Sequence, residues 1–230
     1  MSGSVGLRPM LFLLRGTGAS WGVVADSYYH ILHRTIEACV GVEVVDVRLE
    51  GNGLGRIEKA IAHAERYILK RHQEEPERLK LIAGQSQGAV IALEMAVRHD
   101  WLKGAIALVP PSHGTRICHR RLPGIFGDLA PDSRFIQDHG ERVASWIGAM
   151  EGVTAMVIWS PLDGLIWSPR SACIPGALDI KLGPLWNHIS APFSPQALIA
   201  MRQFAHQIKW HHAQMPTGST KVHTELAEAA

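Results

Sequence analysis

The chain has 230 residues, 47% of them apolar, which suits a single large domain with a buried core. Its formal net charge is only +2, and it contains no basic run and no alternation of basic and aromatic residues, so we do not expect a nucleic-acid partner. The three scattered cysteines predict neither a disulfide framework nor a zinc site.

Export and membrane insertion are not predicted either. No segment has the roughly 18 consecutive uncharged apolar residues that a transmembrane helix needs. The apolar run MLFLL at residues 10–14 lacks the basic start and the long apolar middle of a secretory signal. We therefore expect a soluble protein without a signal peptide, either cytoplasmic or released without a signal. The sequence does not reveal its oligomeric state.

Strand-like and helix-like segments alternate along the first half of the chain. Short apolar runs ending in glycine or proline indicate buried strands, and apolar residues at helical spacing indicate the helices between them. In chain order, the predicted elements are strand 8–14, helix 21–40, strand 42–49, helix 56–72, strand 79–86, helix 87–99 and strand 104–110.

The second half is less regular. The stretch 112–138 is rich in Pro, Gly and Arg, and it is predicted to form either a small cap or a long connection. A second irregular stretch is predicted at 161–176, and the polar segment 211–230 is predicted to be a mobile tail. The predicted regular elements are helix 141–150, strand 153–160, strand 177–182 and helix 195–209.

Strands separated by helices of this length indicate βαβ units. We therefore predict an α/β fold in residues 1–210, a single domain with a mostly parallel central sheet of about six strands and helices on both faces. In such a sheet, the loops at the carboxyl ends of the strands build the functional site.

Ser86 lies in the segment GQSQG, between a predicted strand and a predicted helix. A serine in such a turn occupies a strained conformation that exposes its hydroxyl, and Gly84 and Gly88 let the strand and the helix approach closely. The following helix directs its first amides at the same point. This setting predicts a nucleophile, which requires a base, a group that orients the base and donors for an oxyanion.

Asp163 and His188 have the setting that the two partners of Ser86 need. Each follows a predicted strand, so both should lie at the carboxyl edge of the sheet with Ser86, in the chain order serine, acid, histidine. His113, which also follows a strand, is the alternative base, and Asp132 is the alternative acid.

The glycine-rich turn RGTGAS after the first strand is predicted to complete the site. Its glycines let a backbone amide point at the nucleophile, and we select the amides of Thr17 and Gln87 as the oxyanion donors. The turn matches neither a P-loop nor GxGxxG, which disfavours phosphate binding.

With these features in view, the chain resembles α/β-hydrolase-fold lipases and esterases, especially small bacterial lipases, over residues 11–198. The segment LLRGTGASW is similar to the oxyanion loop of that family, GQSQGA to its nucleophile elbow and PPSHGT to a small-residue loop. The most specific segment is SPLDGLIWSPRSACIPGALDIKLGPLWNH, whose family counterpart leads from the acid to the histidine. The resemblance implies an α/β-hydrolase fold with Ser86 as nucleophile, Asp163 as orienter and His188 as base.

Two departures from the family pattern are present. Arg15 stands where the oxyanion loop usually has a histidine, and the family's secretion signal is not seen. Gln87 after the serine is also common in cutinases and in phage-encoded mycolyl esterases, which act on envelope lipids, so these remain alternatives within the same fold.

The predicted activity is hydrolysis of carboxylic esters through an acyl-enzyme, on a small-molecule or lipid acyl ester, with no cofactor and no metal. A thioesterase or another acyl hydrolase, and a non-catalytic binding module of the same fold, are the competing hypotheses. Three tryptophans near the motif loops are predicted substrate contacts that would also allow a transient contact with a lipid surface. They are Trp21, Trp167 and Trp186.

Overall fold

Six short apolar segments form one fully parallel sheet in the computed structural model, which describes residues 7–17, 22–150, 152–166 and 169–214. Most of these strands are buried on both faces, which explains why they are continuous apolar runs rather than alternating ones. The exceptions are the two edge strands, of which the second strand along the chain is half-buried and the last is mostly exposed. The strands are β1 (Met10–Leu14), β2 (Glu43–Val47), β3 (Lys80–Gln85), β4 (Leu102–Leu108), β5 (Ala155–Trp159) and β6 (Leu178–Lys181).

The strand order is β2-β1-β3-β4-β5-β6. The chain places β2 on one side of β1 and then crosses to place β3 on the other, so the winding direction reverses between β1 and β3. A crevice opens at the carboxyl ends of strands at such a reversal, and ligands of open α/β sheets bind there. The turns after β1 and β3, which carry Thr17 and Ser86, flank this crevice.

Six α-helices cover the two faces of the sheet within the described ranges, and none of them is long and apolar enough to cross a bilayer. Side chains alternate along each strand, so Phe12 and Leu14 face one layer while Leu11 and Leu13 face the other. The helices are α1 (Gly22–Val40), α2 (Ile57–Glu74), α3 (Gln87–Arg98), α4 (Ile125–Asp128), α5 (Arg134–Ala149) and α6 (Pro195–Gln214). The layer on Phe12 contains α2, α3 and α5, and the layer on Leu11 contains α1 and α6.

The predicted sheet of about six parallel strands with helices on both faces is confirmed. Two predicted boundaries differ from the structure by more than two residues. The helix predicted to begin at residue 141 begins at Arg134, because the Ser133 hydroxyl caps it by accepting from the Ile136 amide at 3.1 Å. The last helix continues past residue 209 to Gln214. Residues 215–230 of the predicted tail lie outside the described residues.

A buried charged cluster joins the helices α3 and α5. Glu94 on α3 is 1% exposed, and its Oε1 lies 2.6 Å from Nδ1 of His139 and 2.8 Å from Nη2 of Arg142. Burial by itself raises the pKa of Glu94, but the hydrogen bonds from His139 and Arg142 outweigh it and leave that pKa below its ordinary value. The ionised carboxylate is therefore favoured by folding.

We expect Glu94→Gln to lower the free energy of unfolding by about 2 to 3 kcal/mol at neutral pH, because charge-assisted hydrogen bonds are lost in a buried site. A carboxyl whose pKa is lower in the folded state stabilises the protein above its unfolded pKa of about 4.3 and loses that contribution as pH falls through the folded value. The difference between the two proteins should therefore shrink on acidification, measured by urea unfolding from pH 7 to pH 3.

The matched control is Glu74→Gln, which breaks an exposed i,i+3 pair with Arg71 and should change stability by less than about 0.5 kcal/mol. A constant difference between wild type and Glu94→Gln across the pH range would contradict the assignment of a lowered pKa to Glu94.

Candidate active site

Ser86 occupies the sharp turn between β3 and α3. Its backbone has φ 56° and ψ −124°, a conformation that residues with a side chain rarely adopt, and its amide donates to the Leu108 carbonyl at 2.9 Å. The residue is partly exposed although its neighbours on both sides are buried. The strained turn therefore presents the hydroxyl at the carboxyl edge of the sheet, beside the first amides of α3.

Gly84 and Gly88 permit this turn because there is no space for a side chain at either position. A Cβ on Gly84 would lie 2.0 Å from the carbonyl oxygen of Gly88, and a Cβ on Gly88 would lie 2.5 Å from the carbonyl oxygens of Leu14 and Arg15. The backbone of α3 thus packs directly against the end of β1. This contact brings the turn after β1 to the side of Ser86.

Asp163 and His188 meet at the same edge, as their positions after β5 and β6 predict. The Nδ1 of His188 lies 2.8 Å and 3.0 Å from the two carboxylate oxygens of Asp163. The Oδ1 of Asp163 also accepts from the backbone amides of Leu165 and Ile166, at 2.9 and 3.0 Å. The carboxylate is therefore fixed by its own turn before it orients the imidazole.

The loop that carries His188 is a tight turn closed by its neighbour Asn187. The Asn187 Oδ1 accepts from the amides of Ile189 and Ser190, at 2.9 and 3.0 Å, and the Asn187 carbonyl accepts from Ala191. Hydrogen bonds from two nearby amides to one side chain fix the backbone conformation of a turn that contains no helix or strand. His188 itself is 5% exposed.

Arg15 anchors the turn after β1 to its neighbours β2 and α1. Its guanidinium is 3% exposed and pairs with Asp46 on β2 through two nitrogens and with Asp26 on α1. Burial alone lowers the pKa of Arg15, but the hydrogen bonds to Asp46 and Asp26 more than offset it, and the pKa is raised. The guanidinium also lies over the Tyr29 ring, 4.9 Å from its centroid.

The two residues predicted to supply oxyanion amides are joined by their side chains. The Thr17 hydroxyl donates to Oε1 of Gln87 at 2.7 Å, and Gln87 is fully buried. Gly53, at φ 73°, lies so close that a Cβ there would be 2.5 Å from the same Oε1. The turns after β1 and β3 are therefore held together beside Ser86.

A cavity of about 650 Å³ opens at this edge, and Ser86, His188 and Thr17 line it. Residues of the stretch 112–138 form one wall, so this predicted cap or connection contributes directly to the site. None of the residues found to line the cavity is a lysine, arginine, aspartate or glutamate. The wall is mainly apolar and includes Val24, Ile117, Phe126, Leu165, Ile166 and Ile189.

The remaining predicted residues lie elsewhere or are not described. Trp186 packs against the core and is not among the described residues that line the cavity, so its position does not support a substrate contact. His113, the alternative base, faces the Cys173 carbonyl at 3.0 Å, and Asp132, the alternative acid, pairs with Arg120. Trp21 and Trp167 lie outside the described residues.

Three residues near the site were missed. Tyr28, Tyr29 and Gln85 line the cavity and form hydrogen bonds that connect its loops. Both tyrosines lie in the predicted helix 21–40 and Gln85 lies in the predicted strand 79–86, and no role at the site was predicted for them. Their proximity follows from the packing of α1 beside β3, and no local pattern reports it.

No family model matches the chain, and no curated protein matches it in sequence. Many solved structures are similar to it. A hyperthermophilic esterase from the archaeon Pyrobaculum calidifontis aligns over 90% of this chain and 76% of its own, with a TM-score of 0.56 and 18% identity. Est1E from Butyrivibrio proteoclasticus aligns over 91% of both chains with a TM-score of 0.61 and 14% identity.

Lipase B from Aspergillus fumigatus aligns with a TM-score of 0.65 over 85% of this chain but only 51% of its own, at 18% identity. At identities this low, the similarity establishes the architecture alone. Together with the six-stranded parallel sheet, it confirms the predicted class: the chain has the α/β-hydrolase fold.

The ion pair between Arg15 and Asp46 gives a test of how the turn after β1 is held. We expect Asp46→Asn to slow the labelling of Ser86 by a fluorophosphonate probe about tenfold, because the turn that faces the serine loses part of its support. The measurement is the second-order labelling rate of the folded protein.

Glu43→Gln is the matched control, because Arg78, 6% exposed, pairs with Glu43 at the opposite end of the same strand. Both variants should lose about 1 to 2 kcal/mol of stability, but only Asp46→Asn should lose labelling rate. Equal labelling rates in the two variants would show that Arg15 contributes stability alone.

Proposed function

We propose that the protein is a serine hydrolase that cleaves carboxylic esters with an apolar acyl chain through an acyl-enzyme intermediate. The observation that carries the proposal is the convergence of a strained, partly exposed Ser86 and a His188–Asp163 pair on one apolar cavity. Solved structures of similar architecture are named esterases and lipases, which supports the same class.

The proposed reaction begins with the serine hydroxyl. With Nδ1 of His188 engaged by Asp163, Nε2 is the ring nitrogen available to accept the proton as Ser86 Oγ attacks the ester carbonyl. His188 then donates that proton to the leaving alcohol, and water repeats the sequence to release the acid. Asp163 remains ionised and stabilises the imidazolium that forms in each step.

The oxyanion of the tetrahedral intermediate is assigned to the backbone amides of Thr17 and Gln87. The first amides of a helix have no partner within the helix and carry its positive dipole end, so the amide of Gln87 is a suitable donor. The hydrogen bond between the Thr17 and Gln87 side chains holds the two donors in a fixed relation before substrate arrives.

The cavity favours a neutral ester over an acyl-CoA thioester. Its wall is mainly apolar, and the described residues that line it include no cationic side chain to pair with the phosphates of coenzyme A. A volume of about 650 Å³ lies in the usual range of small-ligand pockets and accommodates an acyl chain of intermediate length. We infer that the acyl chain lies along the wall formed by Phe126, Leu165 and Ile166.

The central test is fluorophosphonate labelling combined with hydrolysis of nitrophenyl esters. We expect Ser86→Ala to abolish both, and His188→Ala and Asp163→Asn to lower turnover by several orders of magnitude, roughly 10³- to 10⁴-fold. Ser133→Ala controls for loss of a buried serine, and His139→Asn controls for loss of a second buried histidine–carboxylate pair. Undiminished turnover by folded Ser86→Ala protein would overturn the proposal.

Acyl-chain preference tests the assignment of the cavity. Ala25 on α1 lines it, so Ala25→Trp should fill part of the volume and lower kcat/KM for C8 to C12 esters at least about tenfold, with the C2 ester changed less than about twofold. A panel of nitrophenyl esters from C2 to C16 measures this, with acyl-CoA hydrolysis alongside.

Ala38→Trp is the control, because Ala38 lies on the same helix at a separate cavity. It should leave the chain-length profile unchanged. An identical profile in the two tryptophan variants would remove the acyl chain from this cavity.

A further inference from the structure

The side chain of Gln85, the residue before the proposed nucleophile, connects the two loops that flank Ser86. Its Nε2 donates to the carbonyl of His188 at 3.0 Å, and its Oε1 accepts from the Tyr29 hydroxyl at 3.0 Å. The Tyr29 oxygen in turn accepts from the amide of Gly16 at 2.8 Å. A continuous chain of hydrogen bonds therefore runs from the turn after β1, through Tyr29 and Gln85, to the backbone of His188.

The orientation of the Gln85 amide is determined by its partners. The carbonyl of His188 can only accept, so it must face the NH₂ group. The Tyr29 oxygen already accepts from Gly16, so its single proton is available for Oε1 of Gln85. The reversed amide would place two acceptor oxygens 3.0 Å apart in a site where Gln85 is 3% exposed, which is strongly unfavourable.

Tyr28 adds a second support for the same loop. Its hydroxyl lies 2.8 Å from the carbonyl of Ile189 and 3.1 Å from Oε1 of Gln85. Burial raises the pKa of Tyr29 to about 12 and raises that of Tyr28 further, so both phenols keep their protons at neutral pH. Tyr28 thus holds the Ile189 carbonyl directly, and Tyr29 holds the His188 carbonyl through Gln85.

We infer that Gln85 is a positioning residue that sets the backbone of His188 and the turn at Gly16 relative to Ser86. This inference rests on the proposed function, because the groups that Gln85 positions are the proposed base and the proposed oxyanion donors. Buried networks of this kind act as a unit, so a change in one member is transmitted to both loops. A displacement of about 1 Å of a reacting group costs about 100-fold in rate, which is why a residue outside the triad can matter.

The first test replaces the amide by an apolar side chain of similar size. Gln85→Leu should lower kcat for a nitrophenyl ester about 10- to 100-fold with KM changed less than about threefold, because the acyl cavity stays and only the reacting groups shift. The rate of fluorophosphonate labelling should fall by the same factor. Folding is checked by circular dichroism, and rates are expressed per folded protein.

The second test uses an ionisable isostere and does not depend on how well Gln85→Leu folds. In Gln85→Glu the protonated carboxyl can donate to His188 and accept from Tyr29, as the amide does, whereas the ionised carboxylate has no proton to donate. Burial raises the pKa of such a carboxyl above about 4.3. The ratio of kcat in Gln85→Glu to wild type should therefore approach one at acid pH and fall as pH rises.

This pH dependence separates positioning from a general loss of stability. Gln85→Leu has no titrating group, so its ratio to wild type should be independent of pH. An anion that acted only by raising the pKa of His188 would lower the ratio as the carboxyl ionises but return it to one at high pH, where His188 is neutral in both proteins, whereas lost positioning keeps the ratio low there. A ratio of one at every pH in Gln85→Glu, or wild-type kcat in Gln85→Leu, overturns the inference.

The chain has only three tyrosines, so the coupling of Tyr29 to Gln85 can be tested with a matched tyrosine control. Tyr29→Phe should lower kcat about fivefold through loss of one hydrogen bond, and the double variant with Gln85→Leu should be no slower than Gln85→Leu alone. Tyr67→Phe, on the exposed face of α2, should have wild-type kcat. Fully multiplicative losses in the double variant would overturn the coupling between Tyr29 and Gln85.

Wild-type labelling distinguishes the two levels of failure. If the wild-type protein neither labels at Ser86 nor hydrolyses esters, the proposed function fails and the inference with it. If the wild-type protein does both, while the Gln85 variants match it at every pH, only the positioning role fails.

Discussion

The contact on which the site depends is the direct approach of backbone to backbone where β3 turns into α3. Gly84 touches Gly88, and Gly88 touches the carbonyls at the end of β1, with no space for a single carbon atom between them. Ser86 has a positive φ at this approach, and the turn after β1 lies beside it. Ser86, the N-terminus of α3 and a second loop are thereby brought together by close packing of the backbone, and hydrogen bonds add to an arrangement that this packing defines.

Polar side chains fix the loops that this backbone packing does not hold, and the type of interaction differs from loop to loop. The turn after β1 is held by the ion pairs of Arg15, and the Asp163 turn is held by its own amides. The His188 turn is closed by Asn187. Arg15 has acids within reach on β2 and on α1, and these ion pairs anchor the loop. Buried charges are tolerated here because each has a hydrogen-bonded partner.

Local pattern and topology were sufficient for the sheet, and for the pairing of Asp163 with His188, because both follow from which residues end a strand. They were not sufficient for α5, where Gly140 interrupts the helical pattern and the capping role of Ser133 had to outweigh it. They also gave no indication of the hydrogen bonds between Tyr29 and Gln85, which lie 56 residues apart. Contacts of this kind depend on how a helix is rotated about its own axis where it packs on the sheet. The spacing of apolar residues in α1 does not define this rotation closely enough to predict which side chain a tyrosine hydroxyl contacts.

The comparison of two histidine–carboxylate pairs in this chain shows why environment decides function. His139 and Glu94 lie 2.6 Å apart and His188 and Asp163 lie 2.8 Å apart, so the two pairs are alike in composition and in distance. The first pair is buried between α3 and α5, and Nε2 of His139 is buried and without a hydrogen-bond partner among the described residues. The second pair stands at the carboxyl edge of the sheet, on a cavity that it shares with Ser86. The same kind of pair therefore joins two helices in one place and lies on a cavity beside a serine in the other, and the difference is set by the fold rather than by the residues themselves.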